Sequence, residues 1–128
     1  MIDETENNSD LRQTMQMIIF SGDARKFIMQ ALDLVGEAKY DESEQLLKQA
    51  HEKLLTAHAL QTDKIQKEAE GEQLEYSVLF THAQDTMMSV NTEYNLVKHL
   101  IEVFKKTWVA KKLLNSDYSR LRSFFVMC

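Results

Sequence analysis

Apolar and polar residues alternate with the period of an α-helix along most of this chain. Three long segments carry the pattern, separated at Gly36 and Gly71. They are rich in Leu, Met, Gln, Glu, Lys and Ala, which are good helix formers, and the sequence contains no proline. The pattern therefore predicts an all-α protein whose three helices pack as an antiparallel three-helix bundle.

The first segment predicts a helix over about residues 10–36. Residues 1–9 are polar and acidic, and we expect them to form a flexible acidic tail. Gly22 falls inside the helix at a cost of roughly 1 kcal/mol relative to alanine, which suggests close packing at that position. Gly36 stands where a left-handed helix cap is expected.

The second helix is expected to begin at Asp41 and to run to about residue 70. Asp41 and Glu44 have the spacing of a capping box, in which two side chains satisfy the free amides of a helix start.

The third segment carries two helical stripes instead of one. A helix in a monomeric bundle needs only one apolar face, so the second stripe indicates a further surface to bury, and self-association would supply it. The first stripe comprises Tyr76, Phe80, Ala83, Met87, Val90, Tyr94, Val97, Ile101, Phe104 and Trp108. The second stripe comprises Val78, His82, Asp85, Ser89, Thr92, Leu96 and Val103.

Length and charge narrow the possible functions. The 128 residues fit one domain, and a formal charge of −5 disfavours nucleic acid as a partner. No apolar stretch approaches the ~20 residues of a spanning helix, so we expect no insertion into a membrane. The N-terminus does not resemble a signal peptide, and the single cysteine, Cys128, fits a reducing compartment. These features predict a cytoplasmic protein.

His82 is the strongest candidate for chemistry. It lies three residues before Asp85, so both side chains project from the same side of the helix. A neutral imidazole has a free lone pair that can attack phosphorus without a separate base. Phosphoryl transfer then requires mainly in-line positioning and hydrogen-bond donors around the oxygens, for which Gln84, Ser77, Ser89 and Thr92 are candidates. Spacing alone leaves open that His82 is an ordinary helix residue.

Four ordered blocks of sequence resemble the lactose/cellobiose-type enzyme IIA family of the bacterial sugar phosphotransferase system. The resemblance covers roughly residues 10–105. The blocks are Ser21-Gly22-Asp23-Ala24-Arg25, Thr56-Ala57-His58-Ala59-Leu60-Gln61-Thr62, Glu68-Ala69-Glu70-Gly71-Glu72, and Tyr76-Ser77-Val78 followed by His82-Ala83-Gln84-Asp85 and Met88.

The resemblance implies a phosphocarrier that assembles as a homotrimer of three-helix bundles. It implies that His82 accepts a phosphoryl group from the histidine-containing phosphocarrier protein and passes it to a cysteine of the cognate IIB component. Uptake of a β-linked disaccharide of the cellobiose, chitobiose or lactose type would follow. Asp85 matches the family aspartate that binds a divalent metal at the trimer axis, for which Mg²⁺ suits carboxylate ligands.

For other residues near these motifs, the sequence leaves a site role and a structural role open. Gln84, His58 and Gln61 are possible supporting residues, although structural hydrogen bonding explains His58 and Gln61 equally well. Thr86 stands where the family usually has a second histidine, which leaves open slower transfer or a regulatory paralogue. A helical self-assembling adaptor without phosphotransfer is therefore the alternative to the carrier.

The end of the chain departs from the family. We place the phosphocarrier domain at residues 10–109 and a C-terminal extension of unknown role at residues 110–128, where a loosely ordered end is expected. Lys98 to Arg122 contains seven cations and two anions in an otherwise acidic chain. A basic amphipathic helix that docks on a partner or an anionic surface is a further hypothesis.

Overall fold

The computed structural model describes the backbone of residues 4–127 and the side chains from Asn7 onward. Helix α1 spans Glu4–Gly36, α2 spans Tyr40–Ala69 and α3 spans Val78–Met127. All three helices contact one another, and the described residues contain no strand. The predicted all-α three-helix fold is confirmed.

Two apolar clusters fill the space between the helices. The first stripe of α3 supplies five buried residues between Ala83 and Ile101, so its prediction to face the bundle is confirmed there. Its outer members Tyr76, Phe104 and Trp108 are exposed. The larger cluster comprises Ala24, Ile28, Ala31, Val35, Leu47, Ala50, Leu54, Val90, Val97 and Ile101. The smaller cluster comprises Met17, Ala57, Ala83 and Met87, with Ile18, Phe20, Leu60 and Phe80 packed against it.

Helix α1 begins earlier than the sequence indicated. Residues 4–9, expected to belong to a flexible tail, are helical, while residues 1–3 lie outside the described part of the chain. The acidic composition that suggested a tail equally suits a helix N-terminus, where the helix dipole favours negative charge.

Farther along α1, Gly22 is exposed and a Cβ at that position would meet no atom within 4 Å, so the close packing predicted there is wrong within one chain.

The left-handed residue after α1 is Ala38 and not Gly36. Ala38 has a φ of 58°, and its amide donates to the carbonyl of Val35 at 3.0 Å. The Lys39 amide donates to the carbonyl of Leu34, also at 3.0 Å. These two bonds form the Schellman arrangement, which places the left-handed position two residues after Gly36.

Helix α2 starts without the predicted capping box. Lys39 is its N-cap and makes no side-chain cap hydrogen bond, so the assignment of Asp41 and Glu44 to such a box is wrong. Asp41 instead lies in the first turn, where its negative charge interacts favourably with the positive end of the helix dipole. Buried Ser43 ties this turn to α1, because its hydroxyl donates to the carbonyl of Ala31 at 2.7 Å.

Helix α3 continues to Met127 without interruption. The loosely ordered end expected for residues 110–128 is therefore incorrect for residues 110–127, and Cys128 lies outside the described residues. The absence of glycine and proline after Gly71 removes the usual signals for ending a helix. Across the described helices, none combines the length and apolar character needed to cross a bilayer.

Candidate functional site

His82 lies in the second turn of α3, close to the positive end of the helix. Ser77 caps this end: its hydroxyl accepts from the amide of Phe80 at 3.2 Å. The carbonyl of Ser77 accepts from the amide of Thr81 at 3.1 Å. The His82 side chain is exposed, whereas the next residue, Ala83, is fully buried against the other helices. The imidazole is therefore displayed to solvent on a backbone fixed by the core.

Asp85 lies on the same outward side of α3 as His82, and it is also exposed. Gln84 is half-buried and lies toward the bundle side. The structure thus separates the predicted set: His82 and Asp85 share an outer surface that Gln84 does not share.

Two of the hydroxyl groups that follow His82 on α3 are already engaged. Thr86 donates to the carbonyl of His82 at 2.8 Å, and Thr92 donates to the carbonyl of Met88 at 3.1 Å. Both bonds connect residues four apart along the helix, so the hydroxyls point along the backbone and not toward an incoming phosphoryl group. Thr92 is therefore a poorer oxygen donor than the sequence suggested, and Ser89 is the exposed hydroxyl with no such bond among the described residues.

His58 and Gln61 do not form a pair on one surface. Gln61 is buried with 8% exposure, whereas His58 is exposed. Nδ1 of His58 lies 3.2 Å from Oγ1 of Thr62, one turn further along α2. Within the described residues no hydrogen bond connects either of them to His82. The contacts of His58 and the burial of Gln61 agree with structural roles.

One chain offers a single carboxylate for the predicted metal. The described residues contain no group of three or more His, Cys, Asp or Glu side chains placed to hold an ion. Asp85 by itself therefore cannot complete a coordination shell, which would require carboxylates from further copies or from another molecule.

A cavity of about 720 Å³ at the same end of the bundle was not predicted from the sequence. Leu79, one turn before His82, belongs to its wall together with Lys64 and Lys67 of α2. The Lys64 ammonium lies 3.6 Å from Asp10 and 4.4 Å from the centre of the Phe80 ring. Periodicity could not reveal this cavity, because it lies where the start of α1, the end of α2 and the α2–α3 connection meet.

Arg25, within the Ser-Gly-Asp-Ala-Arg block, attaches α1 to α3. Its Nε and Nη2 donate to the carboxylate of Glu93 at distances of 3.0 to 3.2 Å. Hydrogen bonding to Glu93 is the main cause that raises the pKa of Arg25 above its ordinary value. This paired contact holds the two helices in register in the half of α3 that follows His82.

A family model described as the lactose/cellobiose-specific IIA subunit of the phosphotransferase system matches residues 12–105. The lactose-specific EIIA component of Staphylococcus epidermidis is 37% identical over 91 residues, which cover 71% of this chain and 88% of the relative. The oligo-beta-mannoside-specific EIIA component of Bacillus subtilis is 38% identical over 99 residues, covering 77% and 90% respectively.

Solved structures agree with the sequence relatives. The cellobiose-specific enzyme IIA of Bacillus anthracis superposes with a TM-score of 0.74 at 36% identity, covering 85% of this chain and 95% of that one. The IIA(Chitobiose) complex with HPr from the Escherichia coli phosphotransferase system gives a TM-score of 0.65 at 27% identity, covering 77% and 95%.

Proposed function

This chain belongs to the lactose/cellobiose-specific IIA family of the phosphotransferase system, and from that membership we propose that His82 is the residue that carries the phosphoryl group. Members of this family are phosphotransferase components that carry phosphoryl groups. The observation that supports His82 is its exposure in the second turn of α3, on a backbone fixed by Ala83 in the core. A carrier needs such a position, because two partners must reach the same nitrogen in turn.

The transfer consists of two displacements at phosphorus. In the first, an imidazole nitrogen of His82 attacks the phosphohistidine of the donor; a new P–N bond forms at His82, and the P–N bond of the donor breaks. In the second, a cysteine thiolate of the acceptor attacks the same phosphorus, and His82 leaves with its lone pair restored. No oxidation occurs in either step, and positioning supplies most of the catalysis.

The partners follow from the family. We assign the histidine-containing phosphocarrier protein as the donor, since the E. coli chitobiose IIA protein forms a complex with HPr. The acceptor is the IIB component of a transporter for a β-linked disaccharide of the cellobiose, chitobiose or lactose type, and the carrier acts in the cytoplasm. Because Thr86 and Thr92 donate to backbone carbonyls, we expect the partners to supply most of the donors around the phosphoryl oxygens.

Assembly as a homotrimer would complete the surface around His82. The second stripe of α3 is exposed in one chain, including Val78, Leu96 and Val103 at 73%, 60% and 57%. Packing three copies of α3 through this stripe would remove apolar area from water. It would also bring three Asp85 carboxylates together, and a divalent cation such as Mg²⁺ would offset their repulsion.

The proposal is tested by labelling the purified chain with phosphoenolpyruvate and the general phosphotransferase proteins. We expect one acid-labile, base-stable phosphate per chain, and we expect none in His82→Ala. His99→Ala is the matched control, because it removes an exposed histidine from the same helix and should keep the label. If His82→Ala were labelled as strongly as the unaltered chain, another residue would carry the phosphoryl group. If the unaltered chain were not labelled at all, the adaptor alternative would be favoured.

The sugar is identified by the acceptor. Phosphorylated protein is offered to a panel of IIB proteins of cellobiose, chitobiose, lactose and oligo-β-mannoside type, and loss of the label from His82 is followed in time. The cognate IIB protein should remove the label at least tenfold faster than the others.

A further inference from the structure

The end of α3 leaves the bundle and lies outside the family match, which stops at residue 105. Its last contacts with α2 are an edge-to-face pair between Trp108 and Tyr40, with ring centres 6.1 Å apart, and the ion pair of Lys105 with Glu44 at 3.1 Å. We call the remaining helix, residues 109–127, the C-terminal arm. It extends for about 28 Å at 1.5 Å per residue.

The arm has an apolar face on which none of the other described helices packs. At about 100° of rotation per residue, seven apolar or aromatic side chains fall within one arc of about 140°. All are exposed, and Leu114 and Phe125 keep 69% and 74% of their surface in contact with solvent. The opposite side carries mainly serine, asparagine and lysine. The face comprises Ala110, Leu113, Leu114, Tyr118, Leu121, Phe124 and Phe125.

Charge separates this end of the chain from the bundle. The arm, residues 109–127, contains four cations and one anion, Asp117, for a net charge of +3. Because the whole chain carries −5, the remaining residues carry −8. Cations of the arm border the apolar face on both sides: Arg120 on one side, Lys111 and Arg122 on the other.

These borders decide which partner fits the face. If copies of the arm packed together through it, the cationic border of one helix would meet a cationic border of the next, whichever way the helices ran. An anionic lipid surface complements both borders, since long basic side chains can extend to the headgroups while the apolar face enters the lipid. We propose that the C-terminal arm binds the carrier to the surface of an anionic membrane, lying along it without crossing it.

This inference goes beyond the phosphocarrier function and does not depend on it. The acidic bundle would be repelled by the anionic surface that attracts the arm. Contact would then be confined to the arm, and His82, near the other end of α3, would remain accessible to soluble partners.

The test uses the full chain with phosphatidylcholine vesicles that contain or lack phosphatidylglycerol. We expect cosedimentation with the anionic vesicles, at least tenfold weaker affinity for phosphatidylcholine alone, and loss of binding in high salt. The double substitution Leu114→Asn and Leu121→Asn should lower affinity for the anionic vesicles at least tenfold. The matched control, Ser119→Asn and Ser123→Asn, changes the opposite side of the same helix and should stay within twofold.

A further variant should bind anionic vesicles more tightly than the unaltered chain. Asp117 lies within the arc of the apolar face, so Asp117→Asn should bind anionic vesicles several-fold more tightly. Labelling of His82 in solution should be the same in all variants, which separates this proposal from the phosphocarrier function.

The proposal is overturned if the full chain does not sediment with anionic vesicles, or if the leucine and serine pairs lose affinity equally. It is also overturned if, without lipid, the leucine pair lowers the oligomer mass, because the face would then lie between copies.

Discussion

At the scale of single residues, hydrogen bonds to the helix backbone determine what the side chains around His82 can do. Thr86 stands one turn after His82, and its role could not be inferred from the sequence. In the structure its hydroxyl is bound to the backbone carbonyl of His82. The hydroxyl of Thr86 is therefore engaged within the helix.

This geometry predicts that Thr86→Val is nearly silent in phosphoryl transfer. Valine keeps the shape and the branched Cβ of threonine and has a methyl group in place of the hydroxyl. We expect the rates of labelling and of transfer to IIB to stay within about twofold, since a twofold change corresponds to only about 0.4 kcal/mol in a barrier. Rapid-quench measurement of both steps checks this, and a tenfold loss in either step would show that the hydroxyl contacts the phosphoryl group.

A second residue-scale prediction concerns the turn between α1 and α2. Ala38 adopts a φ of 58°, which costs an L-residue roughly 1 kcal/mol or more, and glycine adopts it freely. Ala38→Gly should therefore raise the free energy of unfolding by about 0.5 kcal/mol, after part of the gain is lost to the more flexible unfolded chain.

Urea denaturation measures this change. The control is Ala59→Gly, at an exposed position inside α2, which should lower the free energy of unfolding by about 1 kcal/mol. If both glycine variants lost stability to the same degree, the left-handed conformation at residue 38 would be wrong.

At the scale of helices, periodicity predicted which side of α3 faces the core but not where the helices end. The stripe through Ala83, Met87 and Val90 required only the regular spacing of apolar residues, so it could be identified from the sequence. Helix ends depend on single hydrogen bonds. The Schellman bonds at Ala38 arise from tertiary geometry, and they displaced the cap predicted at Gly36.

In the candidate site too, features within one helix could be predicted from the sequence, whereas features formed between helices could not. His82 and Asp85 could be placed on one surface from their spacing, because an α-helix fixes the relation between residues three apart. The cavity beside Leu79 and the burial of Gln61 could not be predicted, since both depend on how different helices meet.

The contact between Arg25 and Glu93 leads to a prediction at the helix scale. Paired hydrogen bonds from one guanidinium make this pair stronger than most surface ion pairs, although both side chains remain partly exposed. A double-mutant cycle with Arg25→Gln and Glu93→Gln should give a coupling energy of about 1 kcal/mol that decreases in high salt.

Arg25→Lys is the informative third variant. Lysine keeps the charge but cannot make both bonds of the guanidinium, so it should recover less than half of the coupling. A coupling energy near zero would mean that α1 and α3 are held together by the apolar core alone.

At the scale of the whole molecule, a single chain leaves the second stripe of α3, which includes His82 and Asp85, exposed to solvent. The second stripe of α3 places Asp85 between apolar positions at Val78 and Leu96, all exposed. A symmetric trimer would cover this exposed stripe. Each subunit would then contribute its Asp85 to the threefold axis. The carboxylate of Asp85 would thus be the one strongly unfavourable group within an otherwise favourable interface.

Replacing Asp85 tests this view of assembly. In Asp85→Leu the repulsion between carboxylates is gone and apolar area is added, so the trimer should form without any divalent cation. In the unaltered chain, removal of divalent cations should shift the trimer toward monomer as carboxylate repulsion is exposed. Analytical ultracentrifugation with and without Mg²⁺ measures both effects. Ser89→Leu is the control, because it adds apolar area to the same stripe and keeps Asp85; its trimer should still weaken when Mg²⁺ is removed. A trimer of Asp85→Leu that forms only with added Mg²⁺ would contradict the proposed role of Asp85.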